Sequence, residues 1–342
     1  MSGGTETDTM DLTTRYLGLD LKHPIVASAS PLTKDLDGIL RVVDAGAAAI
    51  VMASVYEEDI AREEMAEAAL FEMGEESQPE ASGYFPALSY GTPLDARLTV
   101  LQRAAERAGV PIIASLNGCT LAGWVDFASK MEQAGAAAIE LNFWRVPTDS
   151  NESGQEVEAL YFTILRAVKA RVAIPVSVKL SPFLSAPGNM AKRLAEAGAD
   201  GLVLFNRFYE PGFNPVSMSI EEDFRFSSSY DLRLPLMWTG LLSGHFSTDF
   251  AVSTGVNSGA DVIRCMLAGA NVTMVTSALL QYGPWHIQTM LEEVRCWMEQ
   301  KGIESIASVR GRLAARGTPA HQAQFLREEY RSILMTASSQ KI

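Results

Sequence analysis

Lys179 closes the segment VSVKLSP, a run that is otherwise apolar or small. An ammonium in such a run must face a core or the mouth of a site, and burying it without an anionic partner costs several kcal/mol. Lys179 is therefore expected to act on a ligand or in catalysis, with a structural ion pair to Glu140 as the alternative. Three asparagines end comparable runs: Asn117 in SLNG, Asn142 in ELNF and Asn206 in LFNR. Each side chain carries donors and an acceptor, so a ring of them suits a planar ligand whose edge alternates carbonyl and N–H groups. Two more runs end in Ser253-Thr254-Gly255 and Thr276-Ser277, where backbone N–H groups and hydroxyls could converge on a phosphate. Ordinary turns are the alternative there.

Positioning these residues together requires a scaffold that brings strand ends to one side. A junction of the form Ala-Gly-small followed at once by a β-rich run occurs at Ala45-Gly46-Ala47, Ala108-Gly109-Val110, Ala134-Gly135-Ala136, Ala197-Gly198-Ala199 and Ala268-Gly269-Ala270. Glycine just past a helix end accepts a left-handed backbone, and small neighbours let the chain turn into a buried strand. The strands are continuous apolar runs, the pattern of a parallel sheet covered on both faces. With the further runs PIVASAS, PVSVKLS and FAVSTGV, eight strands are expected near 24, 48, 111, 137, 175, 201, 250 and 272. Eight βα units without a G-x-G-x-x-G turn indicate an α/β fold of the (β/α)8 TIM-barrel class rather than a doubly wound sheet. Its catalytic face would be the C-terminal one, where loops after strands 7 and 8 commonly bind phosphate.

The expected division is a disordered tail over 1–10, a barrel over 11–315 and a C-terminal helical extension over 316–342. Residues 12–23 read as a hairpin closing the barrel bottom, and long loops follow strand 2 (57–93) and strand 6 (207–231). The first loop carries a cluster of acids from Glu57 to Glu80 and reads as an exposed, lid-like insertion. The formal net charge of −13 disfavours polyanion partners, so no nucleic acid is expected. No apolar run approaches the roughly 20 residues that span a bilayer, and a cytoplasmic location is expected. Cys119, Cys265 and Cys296 form neither CxxC pairs nor a cluster site, so any Fe–S cluster would sit on another subunit. The four histidines show no ligand spacing, and no metal site is expected.

Taken in order, HPIVASASPLT, SLNG, ELN, VKLSP, LFN, STGVNSGADVIRCMLAGA and TSALLQYGP resemble the class 1 dihydroorotate dehydrogenase family over residues 11–313. The resemblance implies FMN as cofactor. Ser28, Ala29 and Ser30 would lie beside the flavin, Ser54, Asn117 and Asn142 would contact it or the substrate, and Asn206 would face the substrate. Thr254, Gly255, Thr276 and Ser277 would hold the phosphate, while Lys179 would stand next to flavin N1 and the C2 carbonyl. The chain also departs from the pattern. The family lysine after strand 2 falls at Ala53, the base cysteine of the loop after strand 4 gives way to Trp144 and Arg145, and Leu88 stands where a substrate asparagine is expected. Arg145 could pair with a substrate carboxylate.

The activity implied is oxidation of dihydroorotate to orotate, a step of pyrimidine biosynthesis, with Lys179, Asn142 and Asn206 at the reacting centre. The departures keep three alternatives open: another substrate on the same flavin barrel, a flavin-binding subunit without turnover, and a flavin-free lyase or isomerase. The expected partners are a small-molecule substrate and an electron acceptor, which another protein subunit could supply; a homodimer is compatible with the sequence.

Overall fold

A computed structural model describes residues 10–66, 92–208, 210–221, 225–315 and 319–339. Most of the lid-like segment 57–93, Leu88 included, and nearly all of the N-terminal tail lie outside them. Eight parallel strands form the centre: β1 (Ile25–Ala27), β2 (Ile50–Val51), β3 (Ile112–Asn117), β4 (Ala138–Asn142), β5 (Val176–Lys179), β6 (Gly201–Leu204), β7 (Asp249–Ser253) and β8 (Val272–Val275). Each pairs with the next, and β8 pairs with β1 through Thr273 opposite Ile25, so the sheet closes on itself. The expected (β/α)8 barrel is the observed fold. Alternation along each strand divides two apolar layers. Val26, Val51, Ile113, Ala138, Val203 and Met274 fill the interior, whereas Ile25, Ile50, Ile112 and Ile139 meet the surrounding helices.

Eight helices follow their strands: α1 (Leu36–Asp44), α2 (Pro93–Arg107), α3 (Leu121–Gln133), α4 (Gly154–Lys169), α5 (Pro187–Glu196), α6 (Arg233–Leu242), α7 (Gly259–Ala268) and α8 (His286–Lys301). Local chemistry starts several of them. Ser153 accepts from the Glu156 backbone at α4, and Ser258 does the same for Asp261 at α7, each acid reaching back to close a capping box. All five junction glycines take positive φ, from 64° at Gly109 to 109° at Gly269. Strand 2 is shorter than its sequence suggests. After Val51 the chain is drawn aside as the Ala53 N–H donates to the Thr33 carbonyl, and it then pairs with β3 again over Val55–Tyr56.

The expected N-terminal hairpin is present, with Thr14–Tyr16 paired to Leu19–Leu21. Tyr16, Leu17 and Leu21 are buried under the barrel base. Three long-range bonds hold the plug: Leu17 N–H to Asp249 Oδ2 at 2.7 Å, Thr14 Oγ1 to the Asn271 carbonyl at 2.8 Å, and Asn271 Nδ2 to the Arg15 carbonyl at 2.9 Å. A Cβ at position 201 would lie 2.6 Å from the Leu17 side chain, which is why β6 opens with glycine. The loop after β6 carries a second hairpin, Gly212–Asn214 with Ser219–Glu221. A further helix spans Pro319–Ser339, and no helix among the described residues is long and apolar enough to cross a membrane.

His23 makes acid stability testable. Burial pulls its imidazole down from 6.5 to about 4. The ring bonds the Gly46 carbonyl through Nε2 at 2.7 Å and accepts the Ile25 N–H at Nδ1, so the fold holds it neutral. The unfolded chain then binds the extra proton between those pH values. The contribution is complete above about pH 6.5 and is lost as pH falls towards 4, a change of roughly 3 kcal/mol. In urea melts from pH 7 to 4, His23→Gln is expected to flatten the decline; a slope unchanged by the substitution would remove His23 from the account.

Candidate active site at the barrel mouth

A cavity of about 900 Å³ opens at the C-terminal ends of the strands, within the range that takes cofactors and small substrates. Ser28, Ala29, Ser30, Ser54, Asn142, Lys179, Asn206, Thr254, Gly255, Thr276 and Ser277 all line it. Residues from opposite ends of the chain, Ser28 and Ser277 among them, are thus brought to one wall by strand order alone. Asn117 is not part of that wall, because the added strand Val55–Tyr56 lies beside Leu116 and Asn117, and Tyr56 takes the place at the cavity. Arg145 also lies outside it, held by Glu152 at 2.8 Å.

Lys179 is buried and its Nζ lies 3.7 Å from Oε1 of Glu140, which is wholly inaccessible. The ion pair with Glu140 is thus present, and Lys179 also lines the cavity. Glu140 also ends a directional chain. Ser115 Oγ donates to Glu140 Oε1 at 3.4 Å, which commits its single proton, so Ser54 must be the donor in the 2.8 Å Ser54–Ser115 contact. Asn142 Nδ2 then donates to Ser54 Oγ at 3.1 Å. Two acceptors in this cluster are buried without a partner, Glu140 Oε2 and Asn142 Oδ1. Leaving such a group unpaired costs about 1–3 kcal/mol, and a ligand N–H could recover that at Asn142.

Across the mouth, the turns after β7 and β8 are tied by a residue that sequence reasoning missed. Ser227 Oγ accepts from the Gly255 N–H at 3.2 Å and donates to Ser277 Oγ at 2.8 Å, while its own N–H donates to Ser277 Oγ at 3.2 Å. Asn257 Nδ2 holds the Ser227 carbonyl at 3.0 Å. Nothing local in Phe226-Ser227-Ser228-Ser229 signals this role, because it depends on where the long β6 loop returns. The same loop supplies Arg207 and Phe208 to the rim, and Arg207 donates to the Arg225 carbonyl. Trp144 stacks on Phe208 at 5.2 Å and donates its indole N–H to the Arg207 carbonyl at 3.4 Å. Cys119 lies outside the cavity; partial desolvation, followed by the Glu58 carboxylate, pushes its thiol up to about 12, the wrong direction for a proton acceptor.

A closed (β/α)8 barrel brings a lysine, asparagines and two hydroxyl-bearing turns to one cavity at the C-terminal ends of its strands, the face where barrels carry their sites. The dihydroorotate dehydrogenase family model matches residues 11–210, more than half of the 342 residues, and the chain belongs to that family. It is 24% identical to the dihydroorotate dehydrogenase B (NAD(+)) catalytic subunit of Thermoplasma acidophilum, over 88% of this chain and 98% of that protein. It is 29% identical to the subunit of the same name from Halalkalibacterium halodurans, over 62% and 70% respectively. It is also 23% identical to the NAD-dependent dihydropyrimidine dehydrogenase subunit PreA of Escherichia coli, over 89% and 77%. These relatives are dehydrogenases, and the protein is an oxidoreductase of their family.

Proposed function

We propose that the protein is an FMN-dependent oxidoreductase acting on a carbon–carbon bond of a small cyclic substrate. The observation that carries this reading is the buried Asn142 Oδ1, an unpartnered acceptor beside the Lys179 ammonium in a cavity of cofactor size. A flavin ring offers the N–H and carbonyl groups that these two residues lack, so the residues present fit the cofactor. Asn142, Lys179, Ser54 and the Ser28-Ala29-Ser30 turn would hold the ring, and Gly255, Thr276 and Ser277 would hold the phosphate. When bound, FMN would supply the two-electron chemistry, taking a hydride from the substrate and passing the electrons to a second acceptor.

The chain's own contribution is positioning and charge. Lys179, paired with Glu140, presents its ammonium to the cavity, where negative charge would develop during reduction. The Trp144–Phe208 pair walls the rim. Dihydroorotate is the first substrate to test, on the strength of the relatives' activities. A different cyclic substrate is favoured by one observation: from the loop after β4 the cavity receives Trp144, whose indole cannot accept a proton at neutral pH.

Stoichiometric FMN is expected in the purified protein, identified by mass spectrometry after release and by its visible absorption. Failure to bind flavin on refolding with excess FMN would end the proposal. Anaerobic dihydroorotate should bleach the bound flavin if it is the substrate; an unbleached flavoprotein points to the other substrate.

A further inference from the structure

Glu140 and Asn142 are two residues apart on β4 and so point to the same side of the strand, into the barrel, with Asn142 nearer the mouth. Ser115 on β3 stands opposite Glu140 in the strand register. Neither Ser115 nor Glu140 lines the main cavity, whereas Ser54 and Asn142 do. The hydrogen bonds that join these four residues have a single possible sense. The Glu140 carboxylate, paired with the Lys179 ammonium, accepts the Ser115 hydroxyl at 3.4 Å. Ser115 has no second proton, so Ser54 must donate to it at 2.8 Å. Ser54 is then left only to accept, and Asn142 meets it with Nδ2 at 3.1 Å. Turning the Asn142 amide over would set Oδ1 against a serine oxygen with no proton between them. The buried Oδ1, which has no partner, is therefore the end of the amide left for a bound molecule.

We propose that Ser115 and Glu140 are positioning residues which, without touching a ligand, fix the hydrogen-bonding sense of Asn142 and so make its oxygen the acceptor for a ring N–H. This rests on the proposed oxidoreductase site and says what selects at one point of it. A ring N–H facing Oδ1 gains a partner that the free protein lacks. A ring carbonyl at the same place would confront an oxygen that cannot turn away, and a mismatch of this kind typically lowers affinity by about ten- to a hundredfold. The flavin and the substrate are both possible sources of the N–H. Glu140 thus has a task besides its ion pair: as a group that accepts and never donates, it sets the direction of every bond above it. An amide at position 140 could donate to Ser115, which would free each hydroxyl proton to point towards the mouth and let the Asn142 amide turn over.

The test follows side-chain amide hydrogen exchange by NMR in the full-length protein carrying asparagine labelled with heavy nitrogen, the Asn142 signal being identified by its loss in Asn142→Ala. Ser115→Ala removes one atom and breaks the chain at its middle; Glu140→Gln keeps the shape and removes the fixed acceptor. Exchange at Asn142 is expected to quicken roughly two- to tenfold in each variant, the effect of losing one net hydrogen bond. Asn271 is the internal control, because its Nδ2 is held at the barrel base by Asp249 and the Arg15 carbonyl, away from the chain. Unchanged exchange at Asn142 in both variants overturns the proposal, and so does equal quickening at Asn271, which would mark a general loosening. Recording the Asn142 signal with FMN present, with it removed, and then with dihydroorotate added identifies the source of the N–H. No shift in any of these states overturns the assignment of Asn142 as the acceptor. The exchange readout needs neither flavin nor turnover, so the two ideas fail separately. A protein that binds no flavin but shows the exchange difference loses the FMN reading and keeps the chain, and a flavoprotein without the difference does the reverse.

Discussion

Lys179→Ala is expected to slow flavin reduction by about two to three orders of magnitude, the usual loss when a preorganised charge opposite a developing anion is removed. The variant should also be less stable, because Glu140 is wholly buried 3.7 Å from the ammonium and would be left as an unpaired carboxylate. Breaking a buried pair in this way typically costs about 3–5 kcal/mol. The two effects separate in the double variant Lys179→Ala with Glu140→Gln. A neutral amide removes the uncompensated charge, so stability should return while reduction stays slow. Stopped-flow reduction and thermal melts on the single and double variants decide the matter. Recovery of both rate and melting temperature in the double variant would make Lys179 a structural residue.

Gly255→Ala is expected to be the most damaging single methyl group at the mouth. The residue has φ of 82°, and a non-glycine residue in such a conformation costs on the order of 1–3 kcal/mol. The added Cβ would also meet the Leu232 backbone nitrogen and lie 2.7 Å from the Ser228 carbonyl oxygen, neither of which can swing aside like a side chain. Relief requires moving the segment that carries Ser227, and with it the bonds between the turns after β7 and β8. Flavin should then be lost on dialysis, and urea stability should fall by about 3 kcal/mol or more. Gly18→Ala is the control, since Gly18 has φ of 73° and a methyl group added there would meet nothing within 4 Å. It should show the backbone cost alone; equal losses in the two variants would refute the steric account.

The barrel was legible because its signals are local. A glycine past each helix end and an apolar run after it report a strand without reference to the rest of the chain, and all five such junctions have the expected backbone sign. The cavity wall was legible for a similar reason, because parallel strands in a barrel deliver their C-terminal residues to one face. What the sequence could not show depends on distant segments. Asn117 ends its strand as Asn142 does, but Val55–Tyr56 comes back to cover that part of β3. Arg145 pairs with Glu152 and lies outside the cavity wall, a placement that its sequence neighbours do not signal. Ser227 enters the site from a loop whose path no periodicity describes, and the direction of the Asn142–Ser54–Ser115–Glu140 chain emerges only when three strands are side by side.

The hairpin beneath the barrel also sets an order of events during synthesis. Thr14 bonds to the carbonyl of Asn271, a partner 257 residues further along, and β1 finds its second neighbour only in β8. At roughly 5–20 residues per second, a ribosome needs on the order of 10–50 s to make the missing partner after the hairpin has emerged. During that interval Tyr16, Leu17 and Leu21 have no base to seal and remain an apolar knot on an open, growing sheet, the kind of surface that chaperones hold. The hairpin is therefore put to use only once the strand that closes the barrel has been made.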